Sequence, residues 1–97
     1  MVIEAIIAFP AGRLNPEKFA LKHNLSIMAT DDMANVVCEC LFPKIHKEVD
    51  RYQDIGHRIV IFKCVNNAEW KEVLSFFPTD VVVLTEHTVK ELPEWYD

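Results

Sequence analysis

Arg13, Asp31, Asp32, Cys64, Asn66, Glu86 and His87 are the side chains of this chain whose types could do chemistry together. An arginine holds an anion through parallel N–H donors, two aspartates can hold a cation with water completing its shell, and a thiol or an imidazole can exchange protons. Each follows a stretch that reads as a β-strand. In an open parallel sheet, ligands bind outside the carboxyl ends of the strands. The expectation is therefore one crevice that gathers all seven as a small-ligand site. Each residue also has an ordinary role. Asp31 and Asp32 favour the positive end of a helix dipole, Asn66 reads as an N-cap, and Cys64 at the end of a buried strand reads as a small core residue. Glu86 and His87 form a neighbouring pair without an oriented nucleophile, which is an exposed loop until geometry says otherwise. No catalytic residue is assigned.

Other motifs add little. Ser26 and Ser75 fall inside expected elements rather than on a sharp turn, which leaves a Ser-His-Asp hydrolase without a nucleophile. Gly12 and Gly56 are the two glycines, too few for a phosphate-binding loop or a dinucleotide fingerprint. Cys38 and Cys40 have His46 as the nearest further ligand. On a helix, residues two apart point to different sides, and on a strand no second pair completes a tetrahedron. No metal and no cofactor are expected. On the helical reading Cys40 lies on the core stripe and Cys38 beside it.

The elements that must position these residues alternate. A strand runs to Phe9 and is followed by Asn15-Pro16, an N-cap with proline at the first helical position, with Leu14 placed to staple onto Phe19. A short helix from about 16 to 23 closes at Asn24, and residues 25–29 have the length of a buried strand. From Asp31 to Ile55 the apolar residues Met33, Val36, Val37, Cys40, Leu41, Ile45, Val49, Tyr52 and Ile55 keep a helical spacing, interrupted by Pro43, which either kinks one long helix or divides it into two. The competing reading makes 36–42 a strand. Gly56 stops the helix, and residues 57–65 form a β-branched strand expected to be central. Asn66 to Glu69 read as a capping box for a helix with Trp70, Val73, Leu74 and Phe77 on one stripe, and residues 80–85 are the last strand.

Strands alternating with helices predict an α/β fold, a small, mostly parallel four-stranded sheet with helices packed on it. If 36–42 were a strand, the fold would be α+β with a mixed sheet. Residues 1–97 are expected to form a single domain, with 86–97 as a short C-terminal tail.

Half of the residues are apolar and the net charge is −5. Such a balance disfavours nucleic acid as a partner, since binding phosphates takes clustered Lys and Arg, and scattered acids usually keep a small domain dissolved. Three cysteines without a leader peptide read as thiols in the cytoplasm, and the apolar N-terminal stretch is too short to cross a membrane, which takes about 20 residues. Leu92, Trp95 and Tyr96 bring large amphipathic side chains to the chain end, where they either fold back over the domain or meet a partner. The functional expectation is a non-catalytic protein-interaction or regulatory module, working through an acidic surface and the aromatic tail, against another protein or itself as a homodimer. The alternative is a small-ligand-binding protein or enzyme with its site at the carboxyl ends of the strands.

Overall fold

The computed structural model of the chain describes residues 3–12, 14–64 and 72–84. Its elements are β1 (Ile3–Phe9), α1 (Pro16–Lys22), β2 (Ser26–Thr30), α2 (Asp31–Leu41), α3 (Pro43–Asp54), β3 (Arg58–Cys64) and β4 (Val82–Leu84), and residues 72–74 are also helical. Local chemistry sets several boundaries. The Asn15 side chain accepts the Lys18 N–H at 3.0 Å, and Pro16 occupies the first helical position of α1, where its missing donor costs nothing. Asn24 turns the chain out of α1 at φ +55°, while Leu25 N–H reaches back to the Ala20 carbonyl at 2.8 Å, the bonding of a left-handed helix stop. After α3, Gly56 sits at φ +98°, a conformation that a side chain would strain.

The sheet overturns the expected parallel arrangement. Its order is β2-β3-β1-β4, and every neighbouring pair is antiparallel, so the fold is α+β rather than mostly parallel α/β. A crossover helix ensures that the strands it joins run the same way, not that they touch. β1 and β2 do run the same way, because each is antiparallel to β3, but β3 lies between them. In the same manner β3 and β4 flank β1. The pairs β1/β2 and β3/β4 are interleaved, as in a split β-α-β arrangement.

Pro43 decides the direction of β3. One continuous helix after β2 would deliver the chain to the far end of the sheet and start β3 parallel to β2. Instead Phe42 leaves the helical region at φ −132° and ψ 62°, and Pro43 begins a second helix. α3 then runs back along α2, with His46 beside Asn35 and Gln53 beside Asp31, and returns the chain to the end where β2 finished. The strand at 36–42 does not form, since α2 runs through Leu41.

The period-two alternation of β1 and β3 divides the interior between the two faces of the sheet. Ala5, Ile7, Phe9, Val60 and Phe62 pack with Phe19 and Ala20 of α1 and with Val73. Ile6, Ala8, Ile59 and Ile61 pack with Ala34, Cys38, Phe42, Ile45 and Val49 of the α2–α3 pair. Both inner strands are thus covered on both sides, as expected for β3.

Candidate functional site

Arg58 opens β3 opposite Phe9, the last residue of β1, and so stands at the edge where β1 and β2 end. Its Nη1 and Nη2 donate to Glu17 Oε1 and Oε2 at 2.9 and 2.8 Å, and its Nε and Nη2 donate to Asp31 Oδ1 and Oδ2 at 3.1 and 2.7 Å. One guanidinium therefore ties the first turn of α1, the start of α2 and the start of β3 together through two paired-donor contacts. The bonds from Arg58 hold the Glu17 carboxyl below its ordinary value. Asp31 adopts φ +50°, a left-handed conformation that aspartate enters more readily than most residues with a side chain. Arg58 grips its carboxylate there, and Gln53 Nε2 donates to its carbonyl at 3.2 Å.

The antiparallel register separates Asp31 and Asp32 from Cys64, which a parallel sheet would have brought to one edge. Asp31 and Asp32 lie at the Arg58 edge, in the first turn of α2. Cys64 pairs with Ile3 at the start of β1, one strand length away, roughly 20 Å at 3.3 Å per residue. The other candidates, Arg13, Asn66, Glu86 and His87, and the proposed contact residues Leu92, Trp95 and Tyr96, lie outside the described residues. The Asp31 carboxylate is occupied by Arg58. Glu17 and Arg58, which complete the cluster, went unremarked in the sequence, although an acid in the first turn of a helix and an arginine opening a buried strand were available as signals.

A second polar cluster joins α2 to α3. Asn35 Nδ2 donates to Asp50 Oδ1 at 2.8 Å and to Gln53 Oε1 at 2.7 Å, while its Oδ1 accepts from His46 Nε2 at 3.2 Å. Glu39 and Asp50 stand 4.0 and 3.7 Å from the same imidazole nitrogen. This seam turns Asn35 towards α3, and with it the small Ala34 and Cys38 turn onto the sheet, where both are fully buried.

Of the apolar stripe expected in the core, Ile45 and Val49 of α3 are buried and Val37 and Tyr52 pack against the same cluster, but most of its α2 part faces outward. Met33 is 65 % exposed and Val36 51 %, Cys40 is exposed between them and the helix end, and Val37 is half-buried. At about 100° per residue these four side chains share one side of α2. Asp32 and Glu39, both exposed, border that side, and α2 carries no basic residue. Sequence periodicity placed Ile45 and Val49 correctly but put Met33, Val36 and Cys40 on the wrong side of α2.

The two α2 thiols are correspondingly unlike. Burial pushes the Cys38 thiol up to about 11, whereas Cys40 is exposed, the reverse of the arrangement expected from spacing. They point to different sides of the helix and form no chelating pair. In a Cys64→Ser background, Cys40 is expected to react with N-ethylmaleimide at least about 100-fold faster than Cys38, which becomes reactive only when the domain opens. Intact-mass analysis over time reads this directly, and two equally fast additions would contradict the orientation of α2.

Compared with protein-family models, with curated proteins and with solved structures, the chain matches none. No helix among the described residues is long and apolar enough to cross a membrane.

Proposed function

We propose that this chain is a non-catalytic interaction module whose docking surface is the outer face of α2, and that its occupant is a basic amphipathic helix of a protein partner. The observation that carries this reading is the run of Met33, Val36 and Cys40 held in water along one helix face. A contiguous apolar face bordered by charge is the pattern of an interaction site. The border supplies the sign. Asp32 and Glu39 stand beside the stripe in a chain of net charge −5, so a basic helix gains both apolar burial and charge complementarity. A second copy is the poorer occupant, because pairing α2 with itself opposes like charges. The reading retains the regulatory role, a cytoplasmic setting in which Cys40 stays a thiol, and a second contact through Leu92, Trp95 and Tyr96.

The test uses a fluorescent Leu/Lys amphipathic peptide of about 18 residues, five helical turns, and its Leu/Glu counterpart. The Leu/Lys peptide is expected to bind in the micromolar range by anisotropy, and the Leu/Glu peptide at least about tenfold more weakly. Val36→Asp, which removes a contact of about 1.5 kcal/mol or more, is expected to weaken the Leu/Lys peptide at least about tenfold. Equal binding by Val36→Asp overturns the reading. A wild-type dimer in sedimentation velocity that Val36→Asp converts to a monomer would overturn it in favour of self-association.

A further inference from the structure

On the face of the sheet opposite α2, α1 with Leu14 and Asn15 before it, and Phe76 and Pro78, wall a groove of about 330 Å³. His23 and Phe76 stack along it with ring centroids 4.3 Å apart and planes 13° from parallel, and His23 also meets Phe19 at 4.5 Å. Phe19 is buried, whereas Phe76 is 40 % exposed, so an aromatic surface opens into the groove. Lys18 and Lys22 line it as well, one helical turn apart on the exposed side of α1. Like charges at this spacing destabilise a helix. The ion pairs among the described residues go to Arg58 and His46, and none reaches either lysine. Two ammonium groups without an acidic partner among the described residues, beside a stacked aromatic pair in an acidic chain, leave charge here for a ligand to meet.

We propose that this groove binds a small planar aromatic anion, its ring laid against the His23–Phe76 pair and its phosphate or carboxylate held between Lys18 and Lys22. Ring-on-ring contact supplies the apolar half of recognition, and the ammonium groups act as point charges on the anion. The volume lies at the low end for ligand pockets, which suits one or two rings. The proposal is independent of the α2 docking surface, which lies across the sheet. An aryl phosphate could come from a nucleotide and an aryl carboxylate from an aromatic acid; ring plus anion is the chemistry that both share.

The experiment is an amide NMR titration of the full chain with phenyl phosphate, adenosine monophosphate and benzoate, together with butyl phosphate and benzyl alcohol, each of which lacks one half of the ligand. Phenyl phosphate is expected to shift the amides of Lys18, Lys22, His23 and Phe76, and to bind at least about fivefold more tightly than either half-ligand. The double charge reversal Lys18→Glu with Lys22→Glu is expected to weaken it at least about tenfold, and Phe76→Leu at least about fivefold, with amide dispersion showing that both variants stay folded. Tighter binding of adenosine monophosphate than of benzoate assigns the nucleotide source, and the reverse order assigns the aromatic acid. Shifts confined to other residues, unchanged affinity in the double charge reversal, or butyl phosphate binding as well as phenyl phosphate would each overturn the proposal.

Discussion

Replacing Arg58 by methionine is expected to lower the melting temperature at pH 7 by roughly 5–15 °C, a loss of about 1–2 kcal/mol for a domain of this size. Exposed ion pairs ordinarily contribute less than this. Arg58 differs because one guanidinium pairs with both Glu17 and Asp31 through paired donors, and each bond to a charged group is worth more than a neutral one. The estimate is held down by solvent, since the three side chains remain 37 %, 51 % and 45 % exposed. Methionine keeps the aliphatic packing but leaves two carboxylates near each other and releases the grip on the left-handed Asp31.

The pH dependence of the same substitution follows from Glu17. Arg58 depresses its folded-state value below the ordinary 4.5. A depressed acid stabilises the fold fully above its unfolded value, and that contribution is lost as pH falls through the folded one. The gap between wild type and Arg58→Met is therefore constant from about pH 6 to pH 8, and it narrows as pH falls below about 4.5. Thermal melts by circular dichroism at pH 7, 5 and 3 measure it. Equal melting temperatures at pH 7 would show that the cluster does not hold the edge together.

What could be read from the residues was local. Asn15-Pro16, Asn24 and Gly56 announce helix boundaries through capping and backbone sterics, and the β-branched run at 58–64 announces a buried strand, because those preferences depend on near neighbours alone. The sheet order was not legible on the same terms. It depends on whether Pro43 kinks one helix or separates two, and one extra reversal of the chain changes β3 from parallel to antiparallel. The expected meeting of Asp31 with Cys64 was lost for the same reason. Gathering Asp31 with Cys64 needs parallel strands, and antiparallel pairing sends Cys64 to the opposite edge. The Arg58 cluster joins residues 17, 31 and 58, separations over which spacing carries no signal.

The orientation of α2 was legible only in part, and one pair of substitutions tests it with the largest contrast. Ala34→Asp is expected to destabilise the domain by about 3–5 kcal/mol, the cost of an unpaired charge in a buried position. Against a total stability of roughly 5–10 kcal/mol this leaves a marginal or unfolded chain. Val36→Asp, two residues away, is expected to cost less than about 1 kcal/mol, because the site is largely in water and the two residues have similar helix propensities, the main loss being repulsion from Asp32 and Glu39 one turn away. Hydrophobicity alone reverses this order, since valine is the larger apolar residue and lies on the periodic stripe. The structure puts Ala34 against the sheet at no exposure and Val36 outside, with Asn35 between them pinned to Asp50 and Gln53 of α3. Urea denaturation of both variants decides the matter. A stable Ala34→Asp beside an unfolded Val36→Asp would rotate α2, return the stripe to the core and remove the docking face. The expected order leaves Val36→Asp folded, and so fit to report on peptide binding rather than on folding.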